Sequence, residues 1–277
     1  DDGGRSSDWD SVRWVVRAPS TLGQRPRLLV VDDVPRSGPG SEGNAAADAL
    51  WSSTAARNLP AGSYSILRLD FTQPFRSAKD LAQTCKQFDA VIWYRDIRTS
   101  FFTPLRDYQE GLATYLDGGG KLLLESVELI DGENGPGLLS GDWTSRYLGS
   151  DELIRAPQTG RSDSTVSWSI TGGFVVDTTT GATIPVILHS TVFAEDIRQG
   201  GNRAGLRGLA VRDTGFVALW ARDSSLSPQV ARDIPIAVSV PVPESPPGPG
   251  RVVVFTLPMR GANGFFNVPR FLAKVFQ

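Results

Sequence analysis

Apolar residues recur along this chain in two periods, and the alternation of those periods predicts the fold. Between Thr103 and Glu128, the side chains of Leu105, Tyr108, Leu112, Tyr115 and Leu116 fall at helical spacing on one face. The run Gly118-Gly119-Gly120 ends that helix, because glycine alone takes positive φ cheaply, and Lys121 to Leu124 continues as a short apolar strand. Helix, turn and strand in this order form the repeating unit of a parallel α/β sheet, and the same rhythm precedes it. Arg27 to Asp33 predicts a buried strand ending in two carboxylates, Asn44 to Asn58 a helix, and Tyr64 to Leu69 a second strand. A helix over Ser77 to Gln87, capped by Ser77 with Asp80 at its third position, and a strand over Ala90 to Tyr94 follow. Strands buried on both faces read as near-continuous apolar runs, as these do. Four strands and three intervening helices, joined right-handed, predict a flavodoxin-like doubly wound, mainly parallel sheet.

After Leu129 the rhythm breaks. Asp131 to Gly137 predicts a loop and Gly141 to Leu148 a short helix, while Thr165 to Ile170, Val186 to His189, Phe216 to Ala221 and Ile236 to Val240 predict strands. This is a β-rich insertion, over about residues 150–240, in an α/β domain spanning 27–277. The Pro-rich loop Pro241 to Gly250 leads to a last strand, Arg251 to Leu257, and a closing helix over Val268 to Phe276.

Residues 1–26 read differently. A polar glycine turn leads into Ser11 to Arg17, which alternates as a half-buried strand does, and Ala18 to Pro26 is a linker by composition. The first seventeen residues resemble the final hairpin of a fibronectin type III or related β-sandwich domain. That resemblance implies an exported, multidomain bacterial parent, periplasmic or extracellular, from which the chain is cut.

Composition narrows the partners. A formal net charge of −2 and dispersed arginines argue against nucleic acid, which needs concentrated positive charge. No apolar run reaches the roughly 18 residues that span a bilayer. The lone cysteine, Cys85, excludes an internal disulfide and a Cys-rich metal site, and at helical spacing with Leu81 and Phe88 it is expected to face the core.

The aspartate-ended first strand, the third strand entered by Phe88-Asp89-Ala90-Val91, the turn Tyr115-Leu116-Asp117-Gly118-Gly119-Gly120-Lys121 and the last strand Gly250 to Pro258 resemble the class I glutamine amidotransferase-like superfamily. The likeness points to the branch with the ThuA-like and β-galactosidase trimerisation domains. Catalytic members carry a cysteine at a glycine-flanked elbow after a strand, with His and Glu on a later strand. At the matching place this chain reads Leu124-Glu125-Ser126-Val127-Glu128, and its sole histidine, His189, has no glutamate two residues on. The family's triad is therefore absent.

Ser126 with His189 and a carboxylate would make a serine triad. Asp32 and Asp33, with Asp96 beyond the third strand, resemble the Mg²⁺ acids of a response-regulator receiver, but the spacing from Asp33 to Asp96 is too long and Thr256-Leu257-Pro258 offers no lysine. Asp131, Glu133 and Asn134 are too few for a calcium loop. Trp51, Trp93, Trp143, Trp168 and Trp220 raise sugar stacking, with Trp143 the best placed.

No metal or cofactor is expected. A functional crevice is expected where the first, third and fourth strands end, bordered by Asp32, Asp33, Arg95, Asp96, Glu125 and Ser126. Arg95 decides its character, because pairing with Asp32 or Asp33 neutralises those acids. The leading expectation is a domain without assigned catalysis that serves binding or assembly, its ligand a carbohydrate or a protein. The alternative is a hydrolase using Ser126 or the strand-end carboxylates Asp32, Asp33, Asp96 and Glu125.

Overall fold

A computed structural model describes residues 27–34, 44–69, 74–95, 107–126, 142–148, 153–155, 167–172, 174–176, 183–185, 191–193, 207–210, 216–223, 234–242 and 250–256. The first half alternates β1 (Leu28–Asp32), α1 (Asn44–Asn58), β2 (Tyr64–Arg68), α2 (Ala78–Cys85), β3 (Ala90–Arg95), α3 (Gln109–Asp117) and β4 (Lys121–Ser126). A π-helical turn, Thr144–Leu148, follows. The second half holds β5 (Leu153–Arg155), β6 (Ser167–Gly172), β7 (Phe174–Val176), β8 (Thr183–Pro185), β9 (Thr191–Phe193), β10 (Arg207–Leu209), β11 (Phe216–Asp223), β12 (Ile234–Pro241) and β13 (Arg251–Phe255).

One nine-stranded sheet, in the order β2-β1-β3-β4-β13-β12-β11-β6-β9, organises the chain. Its first five strands pair parallel, β1 with both β2 and β3, β3 with β4 and β4 with β13. That is the flavodoxin-like order, which reverses direction between β1 and β3. The parallel pairing expected of these strands is thus observed. The β-rich region is not a separate layer, since β12, β11, β6 and β9 extend the same sheet through antiparallel pairs beyond β13. Two small antiparallel pairs, β5 with β10 and β7 with β8, form separate ladders, with β10 packed against β12 and β7 against β11.

Helices cover both faces. On one, Leu29, Val31, Val91, Trp93, Leu122, Leu124, Val252 and Val254 pack with Leu81 and Cys85 of α2 and Leu112, Tyr115 and Leu116 of α3. On the other, α1 buries Ala47, Trp51 and Ala55, one side chain per turn, and Trp51 stacks on Tyr94 with ring centroids 6.1 Å apart. Each fully buried large aliphatic side chain contributes about 1.5 to 3 kcal/mol.

Local chemistry fixes the element ends. Ser77 caps α2, its Oγ accepting the Asp80 N–H at 3.1 Å, while the Asp80 carboxylate accepts the Arg76 N–H at 3.1 Å. At the end of α3, Gly119 takes φ of 86°, and the Gly119 and Gly120 N–H groups close on Leu116 and Tyr115 carbonyls. The Tyr115 hydroxyl then donates to the Lys121 carbonyl and accepts its N–H, both at 3.1 Å, pinning the turn to the start of β4. Where α2 meets α3, a Cβ on Gly111 would lie 2.7 Å from the Ala78 carbonyl oxygen, so the two backbones touch there.

The terminal strand and linker expected over 1–26, the strand expected over 186–189 and the closing helix expected over 268–276 lie outside the described residues. No described helix is long and apolar enough to cross a membrane.

Two outcomes check this packing. Gly111→Ala should destabilise the fold by about 1 to 3 kcal/mol in urea denaturation, because a backbone carbonyl cannot step aside as a side chain can; an unchanged midpoint would contradict the α2–α3 contact. Cys85 is fully buried, and burial pushes its thiol up to about 12. A thiol reagent should therefore modify it only when the protein unfolds, and rapid labelling of the native protein would refute that placement.

Candidate functional site

Parallel pairing in register aligns the last residues of the strands into two polar rows at the carboxyl edge of the sheet. Arg68, Asp32, Tyr94 and Glu125 stand side by side, with Phe255 next, because β2, β1, β3, β4 and β13 pair in that register. Laterally paired residues share a face, so this row lies on the α1 side. One residue further on, Arg95 pairs with Ser126, and that row lies on the α2 and α3 side. In an open α/β sheet the crevice for a ligand forms at this edge, where strand order reverses, which here is between β1 and β3.

On the α2 and α3 side, Asp33 accepts from the Trp93 indole N–H at 3.2 Å and from Arg95 Nη1 at 3.3 Å. Both members of this ion pair are buried, with side-chain exposures of 3% for Arg95 and 7% for Asp33. Burial pushes the Asp33 carboxyl above the ordinary aspartate range, and the Arg95 charge and the Trp93 N–H pull it back. Tyr108 packs beside them, its ring 5.6 Å from Trp93 and edge-on to Phe75 at 5.3 Å. Burial, with the Asp33 charge adding to it, pushes the Tyr108 hydroxyl up to about 12.

On the α1 side, the Asp32 carboxylate oxygen Oδ1 accepts the Val34 N–H at 3.1 Å, within reach of the Asp48 charge in α1. Asp48 in turn accepts from the Tyr94 hydroxyl at 2.7 Å and pairs with Arg68 at 3.0 Å. Burial first, then the Asp48 charge, push Asp32 up to about 7. Asp48, Arg68 and Tyr94 are members of this cluster that sequence reasoning missed. Tyr94 sits in an apolar strand and Asp48 in an alanine-rich helix, and only the pairing register brings them together.

The expected site residues fall as follows. Asp32, Asp33, Arg95, Glu125 and Ser126 meet at the carboxyl edge, and all are buried, Glu125 and Ser126 completely. Ser126 closes β4 in register with Arg95. Asp96 and His189, and the loop acids Asp131 and Glu133, lie outside the described residues. Among the described residues, no three of His, Cys, Asp and Glu converge as a metal site would need.

Trp143 requires a correction. It is buried, its indole N–H donates to the Gln109 carbonyl at 2.9 Å and its ring tilts against Tyr147 at 5.0 Å. The π-helical turn uses it to dock on α3, helped by the Tyr147 hydroxyl donating to Asp117 at 2.9 Å, so its ring does not present a face to a sugar. Trp51 and Trp93 are core residues as well.

Removing one partner of a buried ion pair strands the other charge. Arg95→Met should therefore cost about 3 to 5 kcal/mol near neutral pH. Because Asp33 escapes that cost by binding a proton, the deficit should shrink as pH falls. Denaturation curves of the two proteins at several pH values check both parts; a pH-independent loss below about 1 kcal/mol would mean the pair is solvated.

The sequence matches no known family and no curated protein. Among solved structures, the fold is similar to a ThuA-like protein from Bacteroides uniformis, at 10% identity and a TM-score of 0.48, covering 92% of this chain and 91% of that one. It is also similar to a cytoplasmic protein from Salmonella typhimurium, at 11% identity and a TM-score of 0.40, over 83% and 86% of the two chains. At that distance neither likeness carries weight, and the fold rests on its own strand order.

Proposed function

We propose that this chain is an amidotransferase-like domain that binds or assembles rather than catalyses, within an exported bacterial multidomain protein. The observation that carries the proposal is the buried ion pair of Arg95 with Asp33 at the position where a doubly wound sheet places its chemistry. Asp33 Oδ2 already accepts from a guanidinium and an indole N–H, so a substrate proton would have to compete with both donors. Ser126 is fully buried, and the stretch Leu124 to Glu128 lacks the glycines that a strained nucleophile elbow uses. Export and a multidomain parent rest on the β-sandwich-like first seventeen residues. The ligand class is a carbohydrate or a protein.

The hydrolase alternative draws on Asp32, whose carboxyl titrates near the range useful to a general acid. Its exposure is 1%, so a substrate would have to open the sheet edge to reach it.

Esterase, amidase and phosphatase substrates distinguish the two. The wild-type protein should show no turnover above background, and Asp33→Asn, Asp96→Ala and Ser126→Ala should match it. Turnover in the wild type that any of these substitutions abolishes, with the fold intact by circular dichroism, would overturn the binding role.

A further inference from the structure

Two polar atoms on the α2 and α3 side of the carboxyl edge lack a partner among the described residues, one a donor and one an acceptor. Tyr108, the residue that opens α3, is 5% exposed, and its hydroxyl is buried with nothing to receive its proton. Asp33 takes both the Trp93 indole N–H and Arg95 Nη1 on Oδ2. Its Oδ1 accepts nothing, yet it is not enclosed, so the 8% of Asp33 that solvent still reaches includes that oxygen.

One side chain joins the two groups. Trp93 bonds Asp33 through its indole N–H, and its ring lies 5.6 Å from that of Tyr108. Phe75 meets the Tyr108 ring edge-on at 5.3 Å, and the Tyr108 carbonyl accepts the Leu112 N–H at 2.9 Å. With its ring packed on Phe75 and Trp93 and its backbone fixed to α3, the phenol cannot turn away to find an acceptor.

A buried donor left unsatisfied is costly, and native proteins leave few of them. A group that relieves this one must accept from a phenol that keeps its proton at neutral pH, since burial pushes that hydroxyl up to about 12. The same group meets Asp33 Oδ1, which calls for a donor. Arg95 already cancels the Asp33 charge, so the place selects neither a cation nor an anion. An alcohol hydroxyl meets both demands, having one donor and two acceptor lone pairs.

We propose that the Tyr108 hydroxyl and Asp33 Oδ1 form a subsite for one hydroxyl of an uncharged, polyhydroxylated ligand, with Tyr108 donating to it and Asp33 accepting from it. This rests on the binding role argued above and names the ligand chemistry and the atoms that meet it.

Glucose serves as the probe, beside acetate, which can only accept, and methylammonium, which can only donate. The assigned Trp93 indole N–H resonance reads occupancy, because that N–H shares Asp33 with the ligand. Glucose should shift it saturably, and neither ion should. Tyr108→Phe should weaken glucose binding by about three- to tenfold, the worth of one neutral hydrogen bond. Without ligand the same variant should melt at or above the wild-type Tm, because it deletes an unsatisfied hydroxyl and keeps the ring. A glucose response that Tyr108→Phe leaves unchanged, an equal response to either ion, or no response at all, which leaves water as the occupant, would each overturn the subsite. A clear fall in Tm would overturn it too, since the hydroxyl would then have a partner within the protein. None of these results touches the binding role itself, which fails instead by turnover in the substrate assays above.

Discussion

Charge that has been taken out of water must be answered locally, and the carboxyl edge of this sheet is built around that constraint. Desolvating an ionised carboxylate costs several kcal/mol unless a partner stands within reach. The chain ends β1 with two aspartates that are both buried, one on each face. Each is answered by a different element. Asp33 is answered by Arg95 and Trp93 of one neighbouring strand, and Asp32 by the Val34 N–H and the Arg68 charge of the other. Both answers depend on the in-register pairing of β1 with β2 and β3, because a slip of one residue would exchange the faces of every side chain involved.

The edge is consequently crowded with polar groups that serve each other. The proposed non-catalytic role rests on this mutual pairing among the described residues, since a prepared active site leaves a base, a nucleophile and an anion-stabilising donor open to substrate. Here the guanidinium of Arg95 takes one carboxylate and Arg68 serves the other cluster through Asp48. Buried polar networks of this kind confer a defined geometry more than net stability, and the geometry they define is the junction of helix α1 with the sheet.

Much of the fold was legible in the sequence because its signals are local. Unbroken apolar runs such as Leu28 to Val31, the cap at Ser77 and the turn at Gly119 each state an element boundary in the residues that form it. The short strands Leu153–Arg155, Phe174–Val176 and Arg207–Leu209 were not legible, since three residues are too few to show a period. The candidate site was half legible. Asp33 and Arg95 were found by their place at strand ends, whereas Asp48 was missed because its role arises from pairing register and helix docking. Trp143 misled for a related reason: an aromatic residue after the fourth strand reads as a binding face until the π-helical turn is seen to fold it onto α3.

The claim on which the rest depends is that Asp33 and Arg95 neutralise each other in place. A double-mutant cycle with Asp33→Asn, Arg95→Met and the pair, measured by chemical denaturation near neutral pH, tests it most directly. Mutual neutralisation predicts a coupling energy of about 2 to 3 kcal/mol, with the double variant more stable than the sum of the single losses allows. A coupling near zero would show that the two groups act independently, leaving Asp33 available at the sheet edge and contradicting the account.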